Sequence, residues 1–202
     1  MIPRVLIKFA LPAAALAAIV LPAQATTVNY STTGVITCAG CTGSGTDSVT
    51  FGPLTMTYIP IAAGTVNANP TTNASAGEIR ITDTSTANTP INGTFALSIN
   101  QTAPSAGSGP LDSGTLTGSL ASNNSTAILT FTDSTLNLGG IEYQLDSFSF
   151  GTSYVLVPPS SGGITSLEMN VTSTLPEPTF MALTAFGFAG MGVVAFRRRR
   201  RA

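Results

Sequence analysis

The sequence contains no histidine and no tryptophan, and only 8% of it is charged. Ordinary soluble proteins carry roughly a quarter. Without an imidazole, no serine-hydrolase triad can be assembled and the usual general base is missing. A Gly-x-Ser-x-Gly elbow is absent as well. Without tryptophan, the chain lacks the flat indole on which sugar rings commonly stack. Basic residues are scarcest in the middle. Of eight lysines and arginines, seven lie near the two ends, which leaves Arg80 alone between Thr26 and Leu175. That long middle segment has no amine nucleophile and few groups to clamp an oxyanion. Its acids are Asp47, Glu78, Asp83, Asp112, Asp133, Glu142, Asp146 and Glu168, so eight negative charges less one positive give −7. Such a surface cannot neutralise a phosphate backbone, and nucleic acid is excluded as a partner.

The remaining catalytic option is a glycosidase-type carboxylate pair, drawn from Asp112, Asp133, Glu142 and Asp146. Glu142 and Asp146 fall on one side of a strand, but strand rise separates them by roughly 13 Å. That is wider than either hydrolytic geometry needs, so the middle segment reads as non-enzymatic. Oxygen ligands for calcium abound, yet no Asp-x-Asp-x-Asp-Gly loop occurs. No metal site and no cofactor is expected.

The ends of the chain carry the clearest signals. Arg4 and Lys8 flank the start of an apolar segment, Phe9 to Leu21, which closes with Ala23-Gln24-Ala25. A basic start, an apolar run and a small-x-small site define a secretory signal peptide over residues 1–25, cut by signal peptidase after Ala25. At the other end, Pro176-Glu177-Pro178 precedes an uncharged run from Thr179 to Phe196, followed by Arg197, Arg198, Arg199, Arg200 and Arg201. As a helix the run spans roughly 27 Å, just enough for a bilayer core of about 30 Å. The arginines stop transfer and stay cytoplasmic. Gly187, Gly190 and Gly192 weaken the span, which suits a temporary anchor. Hydropathy alone would make it an ordinary one.

The triplet, the Gly-containing helix and the terminal arginine cluster together resemble the PEP-CTERM sorting signal. The resemblance covers Pro176 to Ala202. It implies recognition by an exosortase, a membrane protease of Gram-negative bacteria that make exopolysaccharide. It further implies cutting near Pro176–Pro178 and release of the body, or its transfer, to the envelope or extracellular matrix. The resemblance supplies an address and no activity. With both basic ends inside, residues 26–175 cross the inner membrane as a loop, and residues 176–202 form the sorting signal.

The exported body alternates at period two. Phe95, Leu97 and Ile99 oppose Thr94, Ala96, Ser98 and Asn100. Ala127, Leu129 and Phe131 oppose Thr126, Thr130 and Thr132. Ile141, Tyr143 and Leu145 oppose Glu142, Gln144 and Asp146, and Leu167, Met169 and Val171 oppose Glu168 and Asn170. Leu116 and Leu120, the pair Ile79 and Ile81, Val28–Tyr30, Val49–Phe51 and Leu54–Ile59 add further candidates. This is the pattern of half-buried antiparallel strands. Clusters at Asn67–Gly77, Ala103–Pro110, Ser122–Ser125 and Pro158–Gly163 read as punctuation, and Gly139-Gly140 as a tight turn. A face change between Leu145 and Phe148 predicts a bulge or strand end near Asp146-Ser147. About ten short strands at this spacing predict an all-β fold, an antiparallel β-sandwich or jelly-roll-like body, with a signal helix before it and a transmembrane helix after it.

Cys38 and Cys41 are the only cysteines. In an oxidising compartment they are expected to pair as a local staple. Their flanks, a strand and then a Gly-rich loop, lack the helix of a thioredoxin-like redox site. Seven Asn-x-Ser/Thr sites occur, starting at Asn29, Asn73, Asn92, Asn100, Asn123, Asn124 and Asn170. Chance predicts many in so Asn-, Ser- and Thr-rich a chain, and glycosylation is the alternative.

These features point to an exported, non-enzymatic envelope or matrix protein, associated with exopolysaccharide. The alternative is a carbohydrate-binding surface module or adhesin, with calcium assistance. Alternation turns Tyr143 inward, which removes one candidate sugar platform.

Overall fold

The computed structural model describes residues 25–83, 85–146 and 153–175. The signal segment with Ala23, the sorting tail from Pro176 to Arg201 with its span, and Phe148 and Phe150 lie outside them. Thirteen strands follow one another: β1 (Thr26–Cys38), β2 (Ser48–Phe51), β3 (Leu54–Ile59), β4 (Gly64–Ala68), β5 (Thr71–Asp83), β6 (Thr89–Ala103), β7 (Gly107–Ala121), β8 (Asn124–Ser125), β9 (Ile128–Phe131), β10 (Thr135–Leu138), β11 (Ile141–Leu145), β12 (Ser153–Val155) and β13 (Ile164–Ser173). Among the described residues the one helical piece is a single 3-10 turn, Pro159–Ser161.

All strand pairs are antiparallel, and they build two sheets. A seven-stranded sheet runs β12-β9-β7-β6-β1-β4, with β8 added to β7. A six-stranded sheet runs β10-β11-β13-β5-β3-β2. The inward residues of both sheets form one core, as the alternation requires. Tyr30 of β1 meets Tyr143 of β11 edge-on, and Tyr58 of β3 leans on Phe95 of β6 at 5.2 Å between ring centres. The expected all-β class therefore stands, as a sandwich-like pair of antiparallel sheets.

Several expectations hold in detail. Phe95, Leu97, Ile99, Leu129, Tyr143, Leu167 and Met169 are all buried. Gly139 and Gly140 both adopt positive φ, 58° and 85°, and Leu138 pairs with Ile141 across them. That is the two-residue turn whose twist matches a hairpin. β11 ends at Leu145, just before the expected face change.

Other expectations need correction. The strands are not uniformly short: β1 and β5 have 13 residues, and β6 and β7 have 15. The Asn67–Gly77 cluster is mostly strand, interrupted only at Asn69-Pro70. Its small polar residues are held by neighbours on both sides, since β13 pairs with Thr71 to Arg80 and β3 with Glu78 to Asp83. Tertiary pairing overrides the turn-like composition. In the Ala103–Pro110 cluster only Pro104 to Ala106 form the connection.

Bulges fit the polar core. Where β5 meets β13, register shifts beside Ala76-Gly77. Gly77 takes φ 112°, and a Cβ there would come 2.6 Å from the Tyr58 hydroxyl. This bend aims the Ala76 carbonyl at Tyr58 Oη, 2.6 Å away. Tyr58 Oη also lies 2.7 Å from Thr32 Oγ1, which accepts from Ile61 N–H at 2.8 Å. A carbonyl only accepts, so Tyr58 gives its one proton to Ala76 and receives one from Thr32. A second bulge sets Leu97 opposite Asp112 and Ser98 opposite Pro110, which leaves Leu111 as the extra residue. Leu111 and Asp112 are consequently both buried. The ends of the body meet: Ser173 Oγ donates to Thr26 Oγ1 at 3.1 Å.

Candidate functional site

The charged residues are segregated between the two sheets. Glu78, Arg80 and Asp83 belong to β5, Glu142 to β11 and Glu168 to β13, all in the six-stranded sheet. The seven strands of the other sheet contain a single charged residue, Asp112. It is only 5% exposed. The outer face of the seven-stranded sheet is therefore uncharged from edge to edge.

Strand register organises that face into rows. Thr37 of β1 stands opposite Thr94 of β6. Thr94 stands opposite Thr115 of β7, and Thr115 opposite Thr130 of β9. Thr130 in turn faces Ser153 of β12. One line of hydroxyls thus crosses five adjacent strands, with neighbours about 4.8 Å apart in the pairing direction. Thr130 and Ser153 share a hydrogen bond of 3.0 Å. Among the described residues, the Thr37, Thr94 and Thr115 hydroxyls find no protein partner. On the other sheet Ser48 pairs with Thr57, Thr50 with Thr55, and Thr71 with Thr172.

Aliphatic side chains flank the row. Val35, Ala96 and Ser113 form one neighbouring line. Asn92, Thr117, Ile128 and Val155 form the other. Val35 is 40% exposed and Val155 57%. Toward β4 the same face holds a recess of about 370 Å³, lined by Asn29, Ser31, Gly64, Thr65 and Thr102 among others. It opens where register slips between Asn29 and Tyr30. Thr65 Oγ1 donates to Asn29 Oδ1 at 3.0 Å across its wall.

Cys38 and Cys41 form the expected disulfide, with Cα atoms 5.9 Å apart. It closes the loop that follows β1. That loop folds back against β1, for Ile36 N–H donates to Thr46 O and Gly45 N–H to Ile36 O.

The candidate acids do not converge. Asp112 is enclosed and accepts from the backbone N–H groups of Ser113, Thr132 and Ser134 and from the Thr132 hydroxyl. Asp133 accepts from Gln144 Nε2 instead. Glu142 lies on the outer side of β11, and Asp146 lies beyond its end. Among the described residues, no three Asp, Glu or Cys side chains gather closely enough to hold a metal ion.

The tyrosines are structural. Tyr30, Tyr58 and Tyr143 are buried. Tyr154 packs at right angles on Phe131 and donates to the Asp146 carbonyl. Burial pushes the hydroxyls of Tyr58 and Tyr154 up to about 12, and that of Tyr143 higher still. No tyrosine lies in the threonine row.

The row was not legible beforehand. Each strand shows its own Thr alternation, but which threonine stands beside which depends on register between strands distant in sequence. The one sequence signal is the scarcity of charge in β1, β6 and β7, where Asp112 of β7 is the single charged residue.

No protein-family model matches the chain, and neither a curated protein nor a solved structure matches it. Among the described residues no helix is long and apolar enough to cross a membrane. The expected span at 179–196 lies outside them.

Proposed function

We infer that this is an exported, non-enzymatic protein of the cell envelope or extracellular matrix, whose sandwich or jelly-roll-like body is delivered by exosortase processing of the PEP-CTERM-like tail. The observation that carries this reading is the tripartite end, Pro176-Glu177-Pro178, an 18-residue apolar run and five arginines. Signal peptidase removes residues 1–25, the C-terminal helix anchors the chain transiently, and the exosortase then frees the body. The body associates with exopolysaccharide. Its uncharged, hydroxyl-bearing face supports this, because such a face binds by many small hydrogen bonds and not by ion pairing.

The second reading is a carbohydrate-binding adhesin with calcium assistance. The recess at Asn29, Thr65 and Thr102 favours a sugar site. The scattered acids give calcium no evident seat among the described residues.

Intact-mass measurement on secreted protein tests the leading reading. It should show loss of both Met1–Ala25 and Arg197–Arg201. Replacing Pro176-Glu177-Pro178 by alanines should trap an exported chain in the inner membrane. A secreted species that keeps the arginines outside the membrane would overturn the sorting proposal. Appearance of new reducing ends during incubation with exopolysaccharide would overturn the non-enzymatic one.

A further inference from the structure

We propose that the row Thr37–Thr94–Thr115–Thr130–Ser153 is a binding strip for one extended, neutral polysaccharide strand that lies across the β-strands. The proposal rests on the polysaccharide reading above and gives it a place and a direction.

The strip has the chemistry of its ligand. A neutral glycan presents hydroxyls along the edges of each ring and C–H groups on its faces. The row supplies hydroxyls at a regular interval of about 4.8 Å. That interval is of the same order as the advance of one sugar ring in an extended chain. Val35, Ala96, Ile128 and Val155 lie beside the row, where ring faces would rest. Five residues across four strand spacings cover roughly 19 Å, the length of a short oligosaccharide.

Charge decides between neutral and acidic glycans. No charged side chain lies on this face, so a uronate would find no cation to replace its water. Each isolated contact is weak, and a polymer compensates through its repeats, which rebind at high local concentration.

A second copy of the chain fits less well. Stable protein interfaces need a well-packed apolar centre of several hundred Å² per side. Here the exposed large aliphatics are Val35, Ile128 and Val155, separated by a line of hydroxyls that would need matching partners.

Thr-rich strands also form because threonine suits a pleated sheet, so the test must read binding and not stability. The full chain, with both end segments, is run by affinity electrophoresis through gels containing hydroxyethyl cellulose, a neutral glucan, or alginate, a polyuronate. The double variant Thr94→Val, Thr115→Val keeps shape and β-branching but deletes two free hydroxyls. It should bind the neutral glucan at least about fivefold more weakly. Thr115→Ser keeps the hydroxyl and should bind nearly as well as the parent. Thr82→Val, on the outer side of the other sheet, should change nothing. Raising salt should leave glucan binding intact. Should the double variant misfold by circular dichroism, Thr115→Glu alone repeats the test, with loss of glucan binding expected.

If the parent binds glucan and the row variants bind equally well, the strip is wrong while the polysaccharide reading survives. Binding to alginate alone likewise overturns the strip and spares that reading. If the parent binds neither polymer, both fall. Inhibition of ice recrystallisation without glucan binding reassigns the row to ordered water. A dimer broken by Thr115→Glu, again without glucan binding, reassigns it to a second copy.

Discussion

The Asp112 carboxylate accepts a hydrogen bond from the Ser134 backbone N–H at 3.0 Å, joining β7 to the loop that leads from one sheet to the other. Three further donors converge on the same carboxylate: the N–H groups of Ser113 and Thr132 and the Thr132 hydroxyl. Burial pushes this carboxyl upward, but those hydrogen bonds more than reverse it and hold it below the usual carboxylate range. Asp112→Asn replaces one acceptor oxygen by a donor facing an N–H. It should cost about 2 kcal/mol in urea unfolding at neutral pH. The depressed value sets the sign with pH: the contribution is complete above the unfolded value of about 3.8 and fades as pH falls through the folded one. Parent and variant stabilities should therefore converge in acid. A gap that persists unchanged there would refute the assignment.

Tyr58 offers a second test. Tyr58→Phe leaves the Ala76 carbonyl and the Thr32 hydroxyl each short of a partner inside the core. A loss of about 1–3 kcal/mol is expected, with the denaturant slope unchanged. A loss below about 0.5 kcal/mol would mean that neither group depends on the tyrosine.

The buried phenols predict alkaline unfolding. Burial lifts Tyr58 and Tyr154 from 10.0 to about 12, and Tyr143 further. In the unfolded chain these groups ionise near pH 10, so their contribution is complete below that and declines as pH rises toward 12. Absorbance of phenolate near its ultraviolet maximum should rise together with the loss of β-sheet dichroism. Ionisation well before unfolding would show that the hydroxyls are reachable by solvent.

The disulfide should be a minor contributor. Its loop is short, and replacing Cys38 and Cys41 together by serine should lower stability by at most about 2 kcal/mol. Thiol titration of the unfolded, unreduced parent should find no free cysteine. Complete unfolding of the double variant would give the Cys38–Asp47 loop a larger part in the fold than its chain entropy explains.

Alternation placed Phe95, Leu97, Ile99 and Tyr143 in the core correctly, because strand geometry forces neighbouring side chains to opposite faces. The Gly139-Gly140 turn and the Cys38–Cys41 bridge were legible for equally local reasons. The length of β5 is not legible locally, for Thr71 to Gly77 looks like a loop until β13 pairs with it. The bulges at Leu111 and Ala76 were also hidden, since they answer to partners far along the chain. The threonine row belongs to this second class. Its members are ordinary one by one, and only the alignment of β1, β6, β7, β9 and β12 makes them a line.

The hydrogen bond between Thr26 and Ser173 brings both exits of the body to one pole. Under the proposed topology, a chain held at each end by the same membrane is then tethered at that pole alone. Thr37 lies eleven residues further along β1, roughly 35 Å away along an extended strand. The hydroxyl row would accordingly be held at the distal pole, facing the surroundings even before the tail is cut, while the Asn29 recess stays near the bilayer. Processing would then change where the protein can travel without changing which surface it presents.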